Sequence, residues 1–181
     1  ADKLKQLTVD VTAKSKLRYS LSGDHHLLVL KGKAPSHVEP NYYHPKRESV
    51  VYDDTAGCRG MRFELLIKAV CKDGSMVTNA NGIHITNASE IVLYVTAATS
   101  FNGYNKCPDK EGKDEHQTAK SYLSKALLKK YPVLLQTHLT DFHQYFNRVS
   151  LTLNKGEDSK TSLPIDERLA IYRNGAADAA L

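Results

Sequence analysis

The stretch MRFELLIKAVC, residues 61–71, constrains the fold more than any other part of the chain. Met61, Phe63, Leu65, Ile67 and Ala69 fall at every second position, with Arg62, Glu64 and Lys68 between them. Successive side chains of a β-strand point to opposite faces, so this period of two gives a strand with one buried face. Leu66 is the exception in the polar row. Lys72-Asp73-Gly74 follows, and Asp-Gly accepts the positive φ of a tight hairpin turn at little cost. A long strand of this kind needs neighbours, and the flanking sequence offers several.

Leu7, Val9 and Val11 alternate with Thr8 and Asp10, a half-buried strand. Leu17, Tyr19 and Leu21 repeat the pattern; Ser22-Gly23-Asp24 reads as a turn, and His26–Leu30 as the hairpin partner. Ser75–Thr78 returns from the Asp-Gly turn. Asn81-Gly82 marks a second turn, and Ile83, Ile85 and the run IVLYVTAAT supply two more strands. Ile91–Val95 is apolar on both faces, which places it centrally between layers. Strands in this number, joined by short turns, predict an antiparallel β-sandwich over residues 1–100. Residues 34–60 read as a long connecting loop, punctuated by Pro35, Pro40 and Pro45 with Tyr42, Tyr43 and His44 among them. His37 and His44 match no standard metal spacing and read as surface histidines.

Past residue 100 the texture changes. The loop TSFNGYNKCPDKEGKDE is rich in aromatic and polar groups, and Ala119, Tyr122, Leu123, Ala126 and Leu127 then follow helical spacing. Pro132 disfavours helix at Tyr131 and suits the first turn of a new helix, striped by Leu135, His138, Leu139, Phe142 and Phe146. Val149, Leu151 and Leu153 predict a strand near 147–153, residues 154–162 a polar loop, and Pro164 and Asp166 open a short helix through Leu169. The fold class is therefore mainly β with α: an antiparallel sandwich over 1–100, then a loop and helical linker over 101–181.

Composition narrows the functional classes. The formal charge is +5, but lysines alternate with acids, as in Asp109-Lys110-Glu111, instead of forming one stripe; a solvated mixed surface follows, and no nucleic-acid partner is expected. No run of about 18 apolar residues is present, so no membrane span is expected. Cys58, Cys71 and Cys107 have no C-x-x-C spacing and are odd in number, which indicates no disulfide framework. Asn87-Ala88-Ser89 fits the glycosylation sequon, a triplet that arises often by chance.

Enzyme signatures are missing. There is no G-x-S-x-G, no P-loop and no G-x-G-x-x-G. His138 and Asp141 sit one helical turn apart but lack a nucleophile, which favours packing over catalysis. Glu64, Asp109 and Glu115 could serve glycoside hydrolysis only if two of them converged across a bond, and their spacing does not require it. No catalytic residue, metal ligand or cofactor is assigned. Physics alone leaves a binding module or a structural segment.

Several motifs in order carry a resemblance. LVLKGKAPSHVEP (28–40), GCRGMRFE (57–64) and ATSFNGYNKCPDKEGKD (98–114) closely resemble the non-catalytic N-terminal region of glycoside hydrolase family 95, and of its Bacteroidetes-type members in particular. The pattern H-x-x-D-[YF]-x-x-[LY]-F-x-R-V-x-L-x-L is matched by His138, Asp141, Phe142, Tyr145, Phe146, Arg148, Val149, Leu151 and Leu153. The family's L-P-T-D-E-R-L appears as Leu163–Leu169 with Ile165 in place of Thr, and its D-P-x-L as Asp178-Ala179-Ala180-Leu181. The resemblance implies part of a β-supersandwich followed by linker helices that dock onto an (α/α)6 barrel carrying the catalytic acids. It implies α-L-fucosidase activity in the parent protein, fucosylated or related oligosaccharides as substrate, and a periplasmic or secreted location. This chain lacks the L-P-L-G-N-G-R-like opening, and on that resemblance it ends where the barrel begins. It is then an inactive scaffold whose uncovered faces self-associate. Phe101, Asn102 and Tyr104, at the end of a strand, are the candidate substrate-binding residues. A stand-alone carbohydrate-binding module, with Tyr42, Tyr43, Phe101 and Tyr104 stacking on sugars, is the alternative.

Overall fold

The computed structural model describes residues 6–40, 42–43, 48–52, 59–151 and 162–178. Its contacts divide the chain into two units, Ala1–Tyr131 and Pro132–Leu181. The first unit holds β1 (Leu7–Val11), β2 (Arg18–Asp24), β3 (Leu27–Lys33), β4 (His37–Val38), β5 (Val50–Val51), β6 (Arg62–Lys72), β7 (Ser75–Asn79), β8 (Gly82–Ala88), β9 (Glu90–Thr99) and helix α1 (Glu115–Leu127).

Two antiparallel sheets form the sandwich, a three-stranded sheet in the order β1-β8-β7 and a four-stranded sheet in the order β2-β3-β6-β9. Val11, Leu28, Ile67, Ala69, Ile83, Ile85 and Ala88 meet between them as the core. The long strand predicted from the alternation is β6, with Leu65, Ile67 and Ala69 turned toward this core. Its other face is buried as well. Leu66 packs under α1 with Ala119 and Leu123, which accounts for the one apolar residue in the polar row.

Several turns differ from expectation. Asp73 and Gly74 do adopt positive φ, but they join no hairpin. β6 pairs with β9 and β7 pairs with β8, so Asp73-Gly74 and the turn at Asn87 are two corners where the chain passes between sheets. Ser89 Oγ donates to the Asp73 carboxylate at 2.6 Å and ties the corners together. Turn chemistry reads the local bend; which strands then pair is decided by the sheets. Likewise Ser22, Gly23 and Asp24 belong to β2, and the β2–β3 turn is made by His25 and His26 at φ +46° and +62°. Gly23 serves close approach instead: a Cβ there would lie 2.3 Å from the Asn79 carbonyl oxygen of β7. Part of the expected 34–60 loop forms the short β4–β5 ladder, and His37 bonds Glu39 at 2.8 Å; His44 lies outside the described residues. The doubly apolar Ile91–Val95 is in β9 at the sheet edge, not at its centre. The strand covered on both sides is β6.

In the second unit α2 (Tyr131–Phe146) and α3 (Ile165–Arg173) form as the proline signals predict, α3 running a turn beyond Leu169. Phe142 and Phe146 stack at 4.8 Å between centroids, yet no residue of α2 is buried. The Arg168 guanidinium donates two bonds, at 2.7 and 3.0 Å, to the buried Asp178 carboxylate and fastens the chain after α3. The strand expected near 147–153 does not form over its described part. Residues 148–151 are turn and irregular backbone, with Val149 and Leu151 exposed. A strand is held by its ladder, and alternation without a neighbour does not make one.

Candidate loop site at the end of the sandwich

The loop that follows β9 is built on a polar network in the first unit. Ser100, fully buried, exchanges bonds with Arg62 across the end of the sheet: Arg62 N–H donates to Ser100 Oγ and Ser100 N–H to the Arg62 carbonyl, both at 2.9 Å. Lys113 N–H returns to the Ser100 carbonyl at 3.1 Å, closing residues 100–113 into a compact loop. Gly112 lies where the loop crosses itself, since a Cβ there would meet the Pro108 carbonyl oxygen at 2.2 Å.

Arg62 is the central clamp. Its Nε donates to the Glu115 carboxylate at 3.0 and 3.2 Å, and its Nη1 to the Asp109 carbonyl at 2.7 Å and carboxylate at 3.3 Å. The hydrogen bond to Glu115, reinforced by the charges of Glu115 and Asp109 and opposed by burial, holds the guanidinium above the ordinary arginine range. Lys33 reaches Asp109 at 3.6 Å. Beside this pair the Glu64 carboxylate, about 1% exposed, bonds His116 Nδ1 at 2.7 Å and lies 3.8 Å from Lys31 Nζ. The segment 109–115, which could be taken for a free charged tip, is thus fastened at Asp109, Glu111 and Glu115. Asp114 caps α1, its carboxylate accepting from Gln117 N–H at 2.9 Å.

Glu111 organises the tip. Its carbonyl accepts from Asn102 Nδ2 at 2.8 Å, and its carboxylate from Cys107 N–H at 3.1 Å and from Lys106 Nζ at 3.2 Å. Cys107 is in a disulfide and Cys71 is a free thiol, which corrects the reading that no disulfide is indicated. The cysteine count and spacing could not show a pair distant in sequence; the bonding partner of Cys107 lies outside the described residues.

The three candidate residues have different fates. Asn102 is turned into the loop as a brace. Phe101 and Tyr104 are 55% and 97% exposed, so neither pins the loop onto α1. The structure brings together a rigid base and two outward aromatic faces. Sequence reasoning misses the base: Glu64, Asp109 and Glu115 are weighed there only as acids whose spacing does not require them to converge, Arg62 is placed on the polar face of its strand, Glu111 reads as solvated charge, and His116 carries no signal. The one signal was that Arg62 and Glu64 share a strand face with the apolar Leu66. Next to the clamp, Arg18, Lys31, Lys33, Arg62, Phe63 and Glu115 line an open cleft of about 430 Å3. Its cations are already engaged: Arg18 lies over the Tyr52 ring at 4.3 Å, and the others hold Glu64, Asp109 and Glu115.

Comparison with known proteins gives two findings. Residues 130–181 match the glycosyl hydrolase family 95 catalytic domain, a stretch that nearly coincides with the second unit. The chain is also similar to alpha-L-fucosidase 2 of Arabidopsis thaliana, with 26% identity over 115 residues, covering 62% of this chain and 13% of that protein. The residues read from sequence as linker helices are therefore matched by the family's catalytic domain, and the chain spans a small part of the curated relative.

Proposed function

From the premise that this chain is related to glycosyl hydrolase family 95, we propose that it is a non-catalytic scaffold portion of an α-L-fucosidase-like enzyme and that its 101–111 loop forms one rim of the sugar pocket. The observation that carries the reading is the pairing of a fastened loop base with Phe101 and Tyr104 held outward. The loop backbone is already held by its own hydrogen bonds, so aromatic stacking on a pyranose face would require little further ordering of the loop. The parent would hydrolyse a terminal fucosyl or related linkage with inversion, one carboxylic acid protonating the leaving oxygen while a carboxylate activates water. Both acids would lie in parts of the catalytic domain other than the stretch that residues 130–181 match. Packing of the sandwich unit against the catalytic domain, and fucosylated oligosaccharide as the ligand of the assembled enzyme, belong to the same proposal. The Cys107 disulfide supports a periplasmic or secreted location, because structural disulfides persist in oxidising compartments.

The test is isothermal titration of the isolated chain with fucosylated oligosaccharides, alongside an aryl fucoside assay. A rim without its barrel gives no turnover and no measurable heat. Clear sugar binding that is lost in Tyr104→Ala would establish the carbohydrate-binding module instead, and turnover by the pure chain would overturn both readings.

A further inference from the structure

Two segments leave the same end of the four-stranded sheet. β3 ends at Lys33, opposite Arg62 at the start of β6, and β9 ends at Thr99, opposite Phe63. The β4–β5 hairpin follows β3, and the 100–113 loop follows β9. Both are hung from Met61 and Arg62, where β6 begins. The Met61 carbonyl accepts from Ala34 N–H at 2.9 Å, at the root of the hairpin, while Arg62 holds the loop through Ser100 and Asp109. Lys33, the last residue of β3, reaches across to Asp109 at 3.6 Å and ties one root to the other. Beyond the root, Ser36 N–H donates to the Val51 carbonyl and Glu39 N–H to the Ser49 carbonyl, both at 2.8 Å, and Tyr43 N–H turns back to the Pro40 carbonyl at 3.0 Å. That turn carries Tyr42 and Tyr43, 82% and 56% exposed. Turns are ordinarily built from Gly, Pro, Asn, Asp and Ser. Two adjacent tyrosines instead leave a large apolar area in water. Phe101 and Tyr104 do the same on the loop. The strands that carry the two arms, β3 and β9, stand two spacings apart with β6 between them, about 9–10 Å. That exceeds one pyranose ring and suits a chain of linked sugars.

We propose that the β4–β5 hairpin is a second rim beside the loop, and that Tyr42 and Tyr43 act with Phe101 and Tyr104 as stacking contacts for the leaving-group sugars of an extended oligosaccharide. This rests on the reading of the loop as a pocket rim and adds the length of the substrate to it. On that reading the terminal sugar and the bond to be cut belong to the catalytic domain, so what reaches the sandwich unit is the remainder of the substrate. A tyrosine ring offers an apolar face to the C–H side of a pyranose and a hydroxyl to the sugar's own hydroxyls. Two arms that hold one chain act together, because a sugar stacked on the first arm keeps its neighbours at high local concentration near the second. A monosaccharide spans one arm and gains nothing from the other.

Saturation-transfer NMR on the whole chain tests this with lacto-N-fucopentaose I, lacto-N-tetraose (the same oligosaccharide without its fucose) and free L-fucose, each at about 1–5 mM. Contact this weak gives no heat in a calorimetric titration but is read by the transfer experiment. The wild-type chain is expected to transfer to both oligosaccharides and not to L-fucose. Tyr42→Ala/Tyr43→Ala lowers the transfer at least about threefold, as Tyr104→Ala does, while circular dichroism and Tm stay unchanged because these rings are exposed. Phe146→Ala, in the second unit, leaves the transfer as it is. A signal lost in Tyr104→Ala and indifferent to the hairpin pair would remove the hairpin from the site and leave the loop rim standing. One lost in the hairpin pair and indifferent to Tyr104→Ala would remove the loop, and with it the reading on which this rests. Transfer that requires the fucose, equal transfer to L-fucose, loss in Phe146→Ala, or no transfer to the wild-type chain would each overturn the inference.

Discussion

Arg62→Met separates a loop held by its clamp from one merely beside it. Methionine keeps the stem that packs along β6 and removes every donor. Lost are two contacts to Glu115 at 3.0 and 3.2 Å and two to Asp109 at 2.7 and 3.3 Å. Breaking a fully buried pair costs about 3–5 kcal/mol because the surviving charge is stranded. Here the Glu115 and Asp109 side chains keep 18% and 24% exposure, so each recovers water, and Lys33 still reaches Asp109 at 3.6 Å. The cost therefore falls to about 2 kcal/mol, nearer the value of one charge-assisted bond. For a unit of this size that is a fall of about 6–10 °C in Tm. The sharper readout is amide exchange at Glu111 and Lys113, whose N–H groups donate to the Cys107 and Ser100 carbonyls at 2.8 and 3.1 Å. Both are expected to exchange about tenfold faster or more, a local loss of about 1.4 kcal/mol. A double-mutant cycle with Glu115→Ala should show coupling of at least about 1 kcal/mol. Because the folded-state value of Arg62 is raised, its contribution is complete below the ordinary arginine range and is lost only as pH rises through the raised value. The loop should not loosen with pH on its account in neutral or acidic solution. If Tm moves by less than about 1 °C and both amides exchange at the wild-type rate, the clamp argument is wrong and the disulfide and loop backbone suffice.

Three further outcomes follow from the same geometry. Leu66→Ala, at a side chain about 1% exposed between β6 and α1, should cost about 2–4 kcal/mol, read by urea denaturation; a loss under 1 kcal/mol would mean that α1 is not seated there. Asn102→Ala should speed exchange at Glu111 and its neighbours, and Tyr104→Ala should leave Tm unchanged; in an assembled parent enzyme the tyrosine variant should lower kcat/KM about tenfold, and equal catalysis would remove Tyr104 from the rim. Thiol titration of the unreduced, denatured chain should find one reactive thiol, that of Cys71, and three after reduction; three from the outset would refute the Cys107 disulfide.

Much of the sandwich was legible in sequence because period-two alternation is a local property. Leu7–Val11, Leu27–Leu30 and Arg62–Cys71 are strands where the alternation places them, and β6 runs one residue further, to Lys72. What was not legible is which strand lies beside which. Asp73-Gly74 gave the bend correctly and the pairing wrongly, because the next strand crosses to the other sheet. The 148–151 segment shows the reverse failure, alternation with no neighbour to hold it. In both cases the deciding interaction is distant in sequence, where a local pattern carries no information.

The loop site failed to show itself for a related reason. A charge on a strand reads as solvent-facing unless something covers it, and α1 covers Glu64 from more than fifty residues away in sequence. Once α1 is seated by Ala119 and Leu123 on Leu66, Glu64 has to find a partner, since an unpaired carboxylate at that depth would be costly. His116 is in the first turn of the same helix, so the helix that buries the carboxylate also brings its partner. Glu115, the preceding residue, takes Arg62 in the same way. Seating α1 and fastening the loop are therefore one event, and the loop's rigidity is a consequence of how the sandwich is covered. This links scaffold to site: a substitution in the hidden contact of Leu66 should reach Phe101 and Tyr104 through Arg62 and Glu115, without touching either aromatic ring.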